Sequence, residues 1–335
     1  MSTKGSLDER SALVADVGGT HIRLALSNSS GLTGLKIGFC ADYDSIDSAL
    51  KTYLGSISGE LAPQMAAIAV AGPVERDPID LTNQEWSFST HRLQEELGLE
   101  HLAIVNDFTA MAAGIPALTA TDTRLLGGRD AVPPQAPLAV IGPGTGLGVS
   151  ALIPTAHGLV PLNSEGGHST LTATNDDEWK ILRVLQQEFG AVSNERVLSG
   201  PGLVNLHRAQ CQIEGASPKA VTPEEIVQQA RVAPTGRSAL VVRRFSGWLG
   251  QMASDVALMF GARGGIYLAG GMLPKMLDVF DVAVFKERFL YKGRFRGYLE
   301  PIPIHLVLNP HTALLGAAEI LRTHNSGSPE ERSPH

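Results

Sequence analysis

Asn106-Asp107 stands between the apolar run HLAIV and the apolar run FTAMAAGI. A carboxylate at the carboxyl end of a strand can take a proton from a substrate hydroxyl during phosphoryl transfer. Asp107 equally suits the cap of a helix beginning at Phe108. Ser164-Glu165-Gly166-Gly167-His168 places an acid and an imidazole on a glycine loop. A sugar's vicinal hydroxyls are well matched by a bidentate acceptor, so Glu165 with His168 beside it suits a polyol, although a surface turn has the same composition. The Glu-x-x-His spacing also occurs in carboxylate-bridged metal sites, but those need a helix and two copies. Glu195, within SNERVLSGPG, reads on its own as a solvated helix residue.

Two glycine turns could receive an anion. In LVADVGGTHIRLAL (13–26), β-rich segments flank Gly18-Gly19, which predicts a hairpin whose turn needs glycine backbone conformations. Asp16 ends the first strand and Thr20 begins the second, beside amides that could cradle phosphate oxygens. LAVIGPGTGLGVSALI (138–153) repeats that grammar, with Thr145 between Gly144 and Gly146. Two such hairpins suggest two related lobes closing on one anionic ligand. Gly270-Gly271 follows the apolar run 266–269, where a flat ligand such as adenosine could approach the backbone. A competing reading is a nucleotide-dependent dehydrogenase, because GLGVSA fits G-x-G-x-x-A and Glu165 lies near the expected acidic position. That fingerprint requires a helix directly after the glycines, whereas a strand-like run and then Pro154 follow. A phosphate-loop lysine motif, a zinc HExxH pair and a nucleophile elbow are absent.

The elements that must carry these residues alternate between strand and helix, which predicts α/β architecture with ligands beyond the strands' carboxyl ends. Strands are expected at 65–71, 101–105 and 265–269. Helices are expected at 45–57, 91–97, 108–115, 177–189, 238–260 and 312–322, and Thr222-Pro223-Glu224-Glu225 forms a capping box. The long helix should bury Val242, Phe245, Leu249, Met252, Val256 and Met259. At 335 residues the chain exceeds one ordinary core, and 43% hydrophobic against 18% charged residues describes a globular protein. A net charge of −7 without a basic run makes nucleic acid and anionic membranes poor partners. The uncharged stretch 131–164 is broken by Pro143, Pro154, Pro161 and five glycines, so it is not a membrane helix. MSTKGSLDER has no apolar core, and no secretory signal is expected. Cys40 and Cys211 alone supply neither a disulfide framework nor a four-cysteine zinc site, which suits a reducing cytoplasm.

With these motifs in order, the chain resembles the bacterial glucokinase family, within the sugar kinase, Hsp70 and actin superfamily. DVGGT (16–20) resembles its first phosphate loop, GPGTGLGV (142–149) its second, and LAGGM (268–272) its adenosine motif. LTNQEWSFS, IVNDFTA, EGGH and ERVLSGPGLVNL have close counterparts there, while Ala15 and His21 depart from the commoner Gly and Asn. The resemblance implies a two-lobed actin-like ATPase (ribonuclease H-like) fold with a cleft. It places a small domain at 11–117 plus about 310–324 and a large domain at 118–309, while the polar, turn-rich ends, 1–10 and 325–335, are expected to be mobile on their composition. It implies an ATP- and Mg²⁺-dependent glucokinase of glycolysis, working as a cytoplasmic homodimer. Asp107 would be the general base on the glucose 6-hydroxyl, while Asn106, Glu165, His168 and Glu195 hold other hydroxyls. Ala15, Asp16, Val17, Gly18, Gly19, Thr20, Gly144, Thr145, Gly146, Gly270 and Gly271 would receive the nucleotide, with Asp16 near magnesium through water. A non-catalytic, sugar-responsive regulator is the alternative on the same fold, and Asp107 speaks against it because binding alone needs no base.

Overall fold

The computed structural model describes residues 11–57, 62–81, 86–129 and 135–326. Of the ends expected to be mobile, 1–10 and 327–335 lie outside the described residues, as do residues 82–85 of LTNQEWSFS. The chain divides into two compact units.

The first unit takes the chain up to Leu118, Thr155–Asn163, and everything from His311 on. It contains β1 (Ala12–Val17), β2 (His21–Asn28), β3 (Gly31–Phe39), α1 (Ile46–Ser56), β4 (Met65–Val70), β5 (Ile79–Asp80), β6 (Ser87–Phe88), α2 (Thr90–Glu96), β7 (His101–Asn106) and α3 (Asp107–Gly114). Its main sheet runs β3-β2-β1-β4-β7. β1 pairs antiparallel with β2 and parallel with β4, and β4 pairs parallel with β7. The central strands are rich in apolar residues because both faces of the sheet are covered. Leu13, Ala15 and Val17 join a cluster with Leu50 and Ile68, whereas Val14 and Ala67 pack with Leu314, Ala317 and Leu321 of the C-terminal helix, Thr312–Ser326. That helix crosses α3 at backbone contact. A Cβ on Gly316 would stand 1.7 Å from the Ala110 carbonyl oxygen, and one on Gly114 would stand 2.1 Å from that of Thr312.

The second unit comprises Thr119–Pro154 and Ser164–Pro310. It holds β8 (Thr123–Gly127), β9 (Leu138–Pro143) and most of β10 (Leu147–Thr155); the next strand, β11 (Gly158–Leu162), is grouped with the first unit and lies against α3. After it come α4 (Asp176–Phe189), α5 (Gly200–Ile213), α6 (Pro223–Val232), α7 (Arg237–Phe260), β12 (Gly265–Leu268), α8 (Met272–Met276), α9 (Val282–Phe289), α10 (Arg296–Leu299) and β13 (Ile304–Val307). Here the strands run β10-β9-β12-β13-β8. β9 pairs antiparallel with β10 and parallel with β12, which pairs parallel with β13. Both sheets therefore share one plan, an antiparallel hairpin followed by two parallel strands, β1–β2 with β4 and β7 and then β9–β10 with β12 and β13.

Local chemistry explains the helix ends. Ser45, Ser89 and Asn175 cap α1, α2 and α4 through their side chains, and Thr222 with Glu225 closes the capping box of α6. α7 ends at Gly261 in the left-handed conformation, and its core face is buried as expected, except for Met259. Met259 is 66% exposed, because it sits on the last turn where the helix leaves the core. Among the described residues, no helix is long and apolar enough to cross a membrane.

His207 on α5 is buried, and burial together with the nearby Arg237 cation lowers its pKa. The folded protein thus resists protonating His207, so stability present above the unfolded pKa of about 6.5 is lost as pH falls through it toward the folded value. The wild-type melting temperature is expected to drop between pH 7.5 and 5.5, and His207→Gln to narrow that drop. An identical drop in the variant would remove His207 from the pH dependence.

Candidate active site

In the first unit the β1–β2 turn closes with the Gly18 amide donating to the His21 carbonyl at 3.0 Å. The chain after β3 supports it from beneath, where the Cys40 amide donates to the Thr20 carbonyl at 2.9 Å and the Cys40 thiol to the Gly18 carbonyl at 3.5 Å. Gly18 and Gly19 are half-buried and Thr20 is exposed, so amides and a hydroxyl remain at the surface. Ala15 and Val17 are wholly buried, and only their backbones are available to a ligand.

Asp16 pairs in register with Arg23, whose Nη1 lies 2.9 Å from Asp16 Oδ2. Burial pushes the Asp16 carboxyl up, and the guanidinium opposes this. Arg23 was absent from the expected site, although a hairpin turning at 18–21 places it opposite Asp16.

β7 delivers Asn106 and Asp107 to the start of α3. The cap is Asn106, not Asp107. Asn106 Oδ1 accepts from the Phe108 amide at 2.9 Å and the Thr109 amide at 3.2 Å, while Nδ2 donates to the Gly72 carbonyl at 3.2 Å. An asparagine can accept and donate at once, which lets it tie the helix start to the loop after β4. Asp107 becomes the first helical residue and is only half-buried.

In the second unit the Gly144 amide donates to the Gly146 carbonyl at 2.8 Å, closing the β9–β10 turn, and the Gly200 amide at the start of α5 donates to the Gly144 carbonyl at 2.8 Å. None of Gly18, Gly19, Gly144 and Gly146 has a positive φ, so these turns do not need glycine for its backbone conformation. Of Gly18, Gly144 and Gly146, only Gly146 has a neighbour that a side chain would crowd. A Cβ on Gly144 would meet nothing within 4 Å, while one on Gly146 would stand 2.6 Å from Glu195 Oε2. Gly270 does have a positive φ, +85°, and its Cβ would press on the Pro143 carbonyl oxygen at 2.7 Å. It therefore seats β12 against the same turn, while Gly271 beside it is open.

Residues after Gly146 continue as strand β10, and no helix begins there, so the dinucleotide fingerprint has no structural counterpart. The Glu165–His168 loop lies on β10, where a Cβ on Gly167 would stand 1.9 Å from the Leu147 carbonyl oxygen. Glu195 is not a solvated helix residue. It sits in a short 3-10 turn, Asn194–Arg196, and its Oε2 accepts from the Leu147 amide at 2.9 Å. That contact aims Oε1 at His168 Nδ1, 3.9 Å away, while His168 Nε2 is 3.8 Å from Glu165 Oε2. The structure thus brings Glu165, His168 and Glu195 together, as it does Gly144–Gly146 and Gly270.

Among the described residues, no group of three or more His, Cys, Asp or Glu could hold a metal ion. A single carboxylate, Asp16, with one oxygen held by Arg23, fits a magnesium ion that keeps water and takes phosphate oxygens as its other ligands.

Comparison with known proteins adds independent findings. A family profile described as Glucokinase matches residues 13–324. The glucokinase of Aromatoleum aromaticum is 44% identical over 319 residues, covering 95% of this chain and 96% of that protein. Among solved structures, glucokinase from an Antarctic psychrotroph matches with a TM-score of 0.84 at 34% identity, over 94% of this chain and 99% of that one. A ROK family glucokinase from Streptomyces griseus, in complex with glucose and AMPPNP, matches with a TM-score of 0.63 at 17% identity, over 92% of this chain and 98% of that one, a likeness of fold.

Proposed function

The chain belongs to the glucokinase family and has an actin-like ATPase fold, and from that premise we propose that it transfers the γ-phosphoryl group of ATP to the 6-hydroxyl of D-glucose. The observation that carries this reading is the Glu165–His168–Glu195 group. Its acid-to-imidazole gaps of 3.8 and 3.9 Å are too long for direct hydrogen bonds and suit bridging hydroxyls.

In this reading Asp107 accepts the proton of the 6-hydroxyl as that oxygen bonds to the γ-phosphorus and the bond to ADP breaks. Asn106 holds Asp107 in place by capping α3, and it faces the sugar with whatever bonding capacity the cap leaves. The amides of Gly18–Thr20 and Gly144–Gly146 receive phosphate oxygens, and Gly270 and Gly271 border the adenosine. Magnesium near Asp16 would neutralise phosphate charge when bound. Phosphoryl transfer needs mainly positioning and charge neutralisation, which such turns with one base can provide. We further propose a cytoplasmic homodimer feeding glycolysis and engaging neither nucleic acid nor membrane. The two buried cysteines, Cys40 and Cys211, which form no disulfide with each other, and the net charge of −7 support that setting.

The test is ADP release with Mg-ATP against a panel of hexoses, with the product identified by mass. Turnover with glucose preferred is the expected result. A folded sample that binds glucose without turnover would favour the regulator. Glu165→Gln keeps the shape but weakens the acceptor, so calorimetry should show glucose affinity falling about tenfold, the scale of one charged hydrogen bond. Unchanged affinity would remove Glu165 from the sugar site.

A further inference from the structure

We infer that Asn194 is a positioning residue that sets the spacing between His168 and Glu195 and thereby governs affinity for the sugar. This rests on the sugar role proposed above for those two residues. Asn194 directly precedes Glu195 and is 9% exposed. Its amide donates to the Ser169 carbonyl at 2.9 Å. Both hydrogens of its side-chain amide are also committed, Nδ2 donating to the Ser169 carbonyl at 3.0 Å and to Ser169 Oγ at 3.0 Å. Ser169 is the neighbour of His168, and its hydroxyl donates in turn to the Gly166 carbonyl at 2.7 Å. One side chain therefore joins the turn bearing Glu195 to the loop bearing Glu165 and His168.

Little else fixes the imidazole. The side chains of His168 and Glu165 are each 58% exposed, so packing does not hold them. Backbone bonds from the Asn194 amide to the Ser169 carbonyl and from the Leu171 amide to the Val192 carbonyl, with the bridge between Thr170 and Ser193, align the two segments, but they are made by main-chain atoms and not by the imidazole. Glu195 is anchored separately through the Leu147 amide. Loss of the Asn194 side chain therefore removes two of the three bonds that tie Asn194 to Ser169, leaving the backbone one, and loosens His168 relative to an acid that stays put. The β9–β10 turn receives no bond from Asn194, so the nucleotide side should be indifferent.

Steady-state kinetics of Asn194→Ala, Asn194→Asp and Ser169→Ala, with Glu195→Gln as control, test this. Asn194→Ala removes two hydrogen bonds and should raise KM for glucose about tenfold, with kcat and KM for ATP within about twofold of wild type. Asn194→Asp keeps the shape but cannot donate to the Ser169 carbonyl, and should match or exceed that rise. Ser169→Ala loses the hydroxyl contacts alone and should raise KM about threefold. If Asn194→Ala does not fold, the other two variants carry the test. A purely structural role predicts a lower melting temperature with kcat and both KM values changing together, and that outcome overturns the inference. So does a KM for glucose within about twofold of wild type in the folded variants. If Glu195→Gln leaves glucose binding intact, the sugar site itself is wrong and the inference falls with it. If Glu195→Gln weakens glucose while the Asn194 variants do not, the inference alone fails.

Discussion

Asp107→Asn is expected to lower kcat by about 10²- to 10⁴-fold, the range for loss of a general base, while glucose still binds within a few-fold of wild type. The substitution is nearly isosteric, and the local frame survives it because the cap of α3 is Asn106, whose Oδ1 holds the Phe108 and Thr109 amides. Removing a carboxylate from the first turn costs about 0.3–1 kcal/mol of helix-dipole stabilisation. That is too little to unfold the protein, so inactivity in a sample of normal melting temperature would be chemical. Single-turnover phosphoryl transfer, measured beside glucose calorimetry, separates the two. A near-normal kcat would exclude Asp107 as the base. Loss of glucose binding of the same size as the loss of kcat would make Asp107 a binding residue.

Much of this frame was legible because it is written locally. Apolar runs such as MAAIAV and the capping box at Thr222 need only their neighbours, and they form where the sequence predicts. Asp107 was open to two readings, base and cap, and the structure gives the cap to Asn106 because the amide side chain reaches two backbone donors and the loop after β4 together. The glycine turns form where the sequence predicts, though none of Gly18, Gly19, Gly144 and Gly146 takes the positive φ that would require glycine. Gly146 makes room for Glu195, and Gly167 makes room for β10. Contacts between residues far apart in sequence were illegible, as with Glu195 and the Leu147 amide, which are 48 residues apart. Asn194 and Ser169, 25 apart, are the same case. The Arg23–Asp16 pair is intermediate, because hairpin register alone predicts it once the turn is fixed.

Gly316→Ala should destabilise the first unit, against the usual sign of such a change. Within a helix, glycine to alanine ordinarily gains about 1 kcal/mol. At position 316 the new methyl would stand 1.7 Å from the Ala110 carbonyl oxygen and 2.7 Å from the Gly114 amide nitrogen. Both obstacles are backbone of α3, so no side chain can rotate away, and the helices must separate. Overpacking costs about 1–3 kcal/mol where a core can adjust, and a backbone collision belongs at or above the top of that range. The overlap should win, leaving a net loss of about 2 kcal/mol or more after the propensity gain. Gly55 on α1 gives the contrasting case. A Cβ there meets nothing within 4 Å, so Gly55→Ala should be neutral or stabilising. Because α3 carries Asp107 on its first turn, the folded fraction of Gly316→Ala should also turn over more slowly. Urea midpoints of the two variants, with specific activity corrected for folded fraction, test both consequences. A Gly316→Ala midpoint at or above wild type would mean that the helices do not cross this closely, and the C-terminal helix would lose its role in placing Asp107.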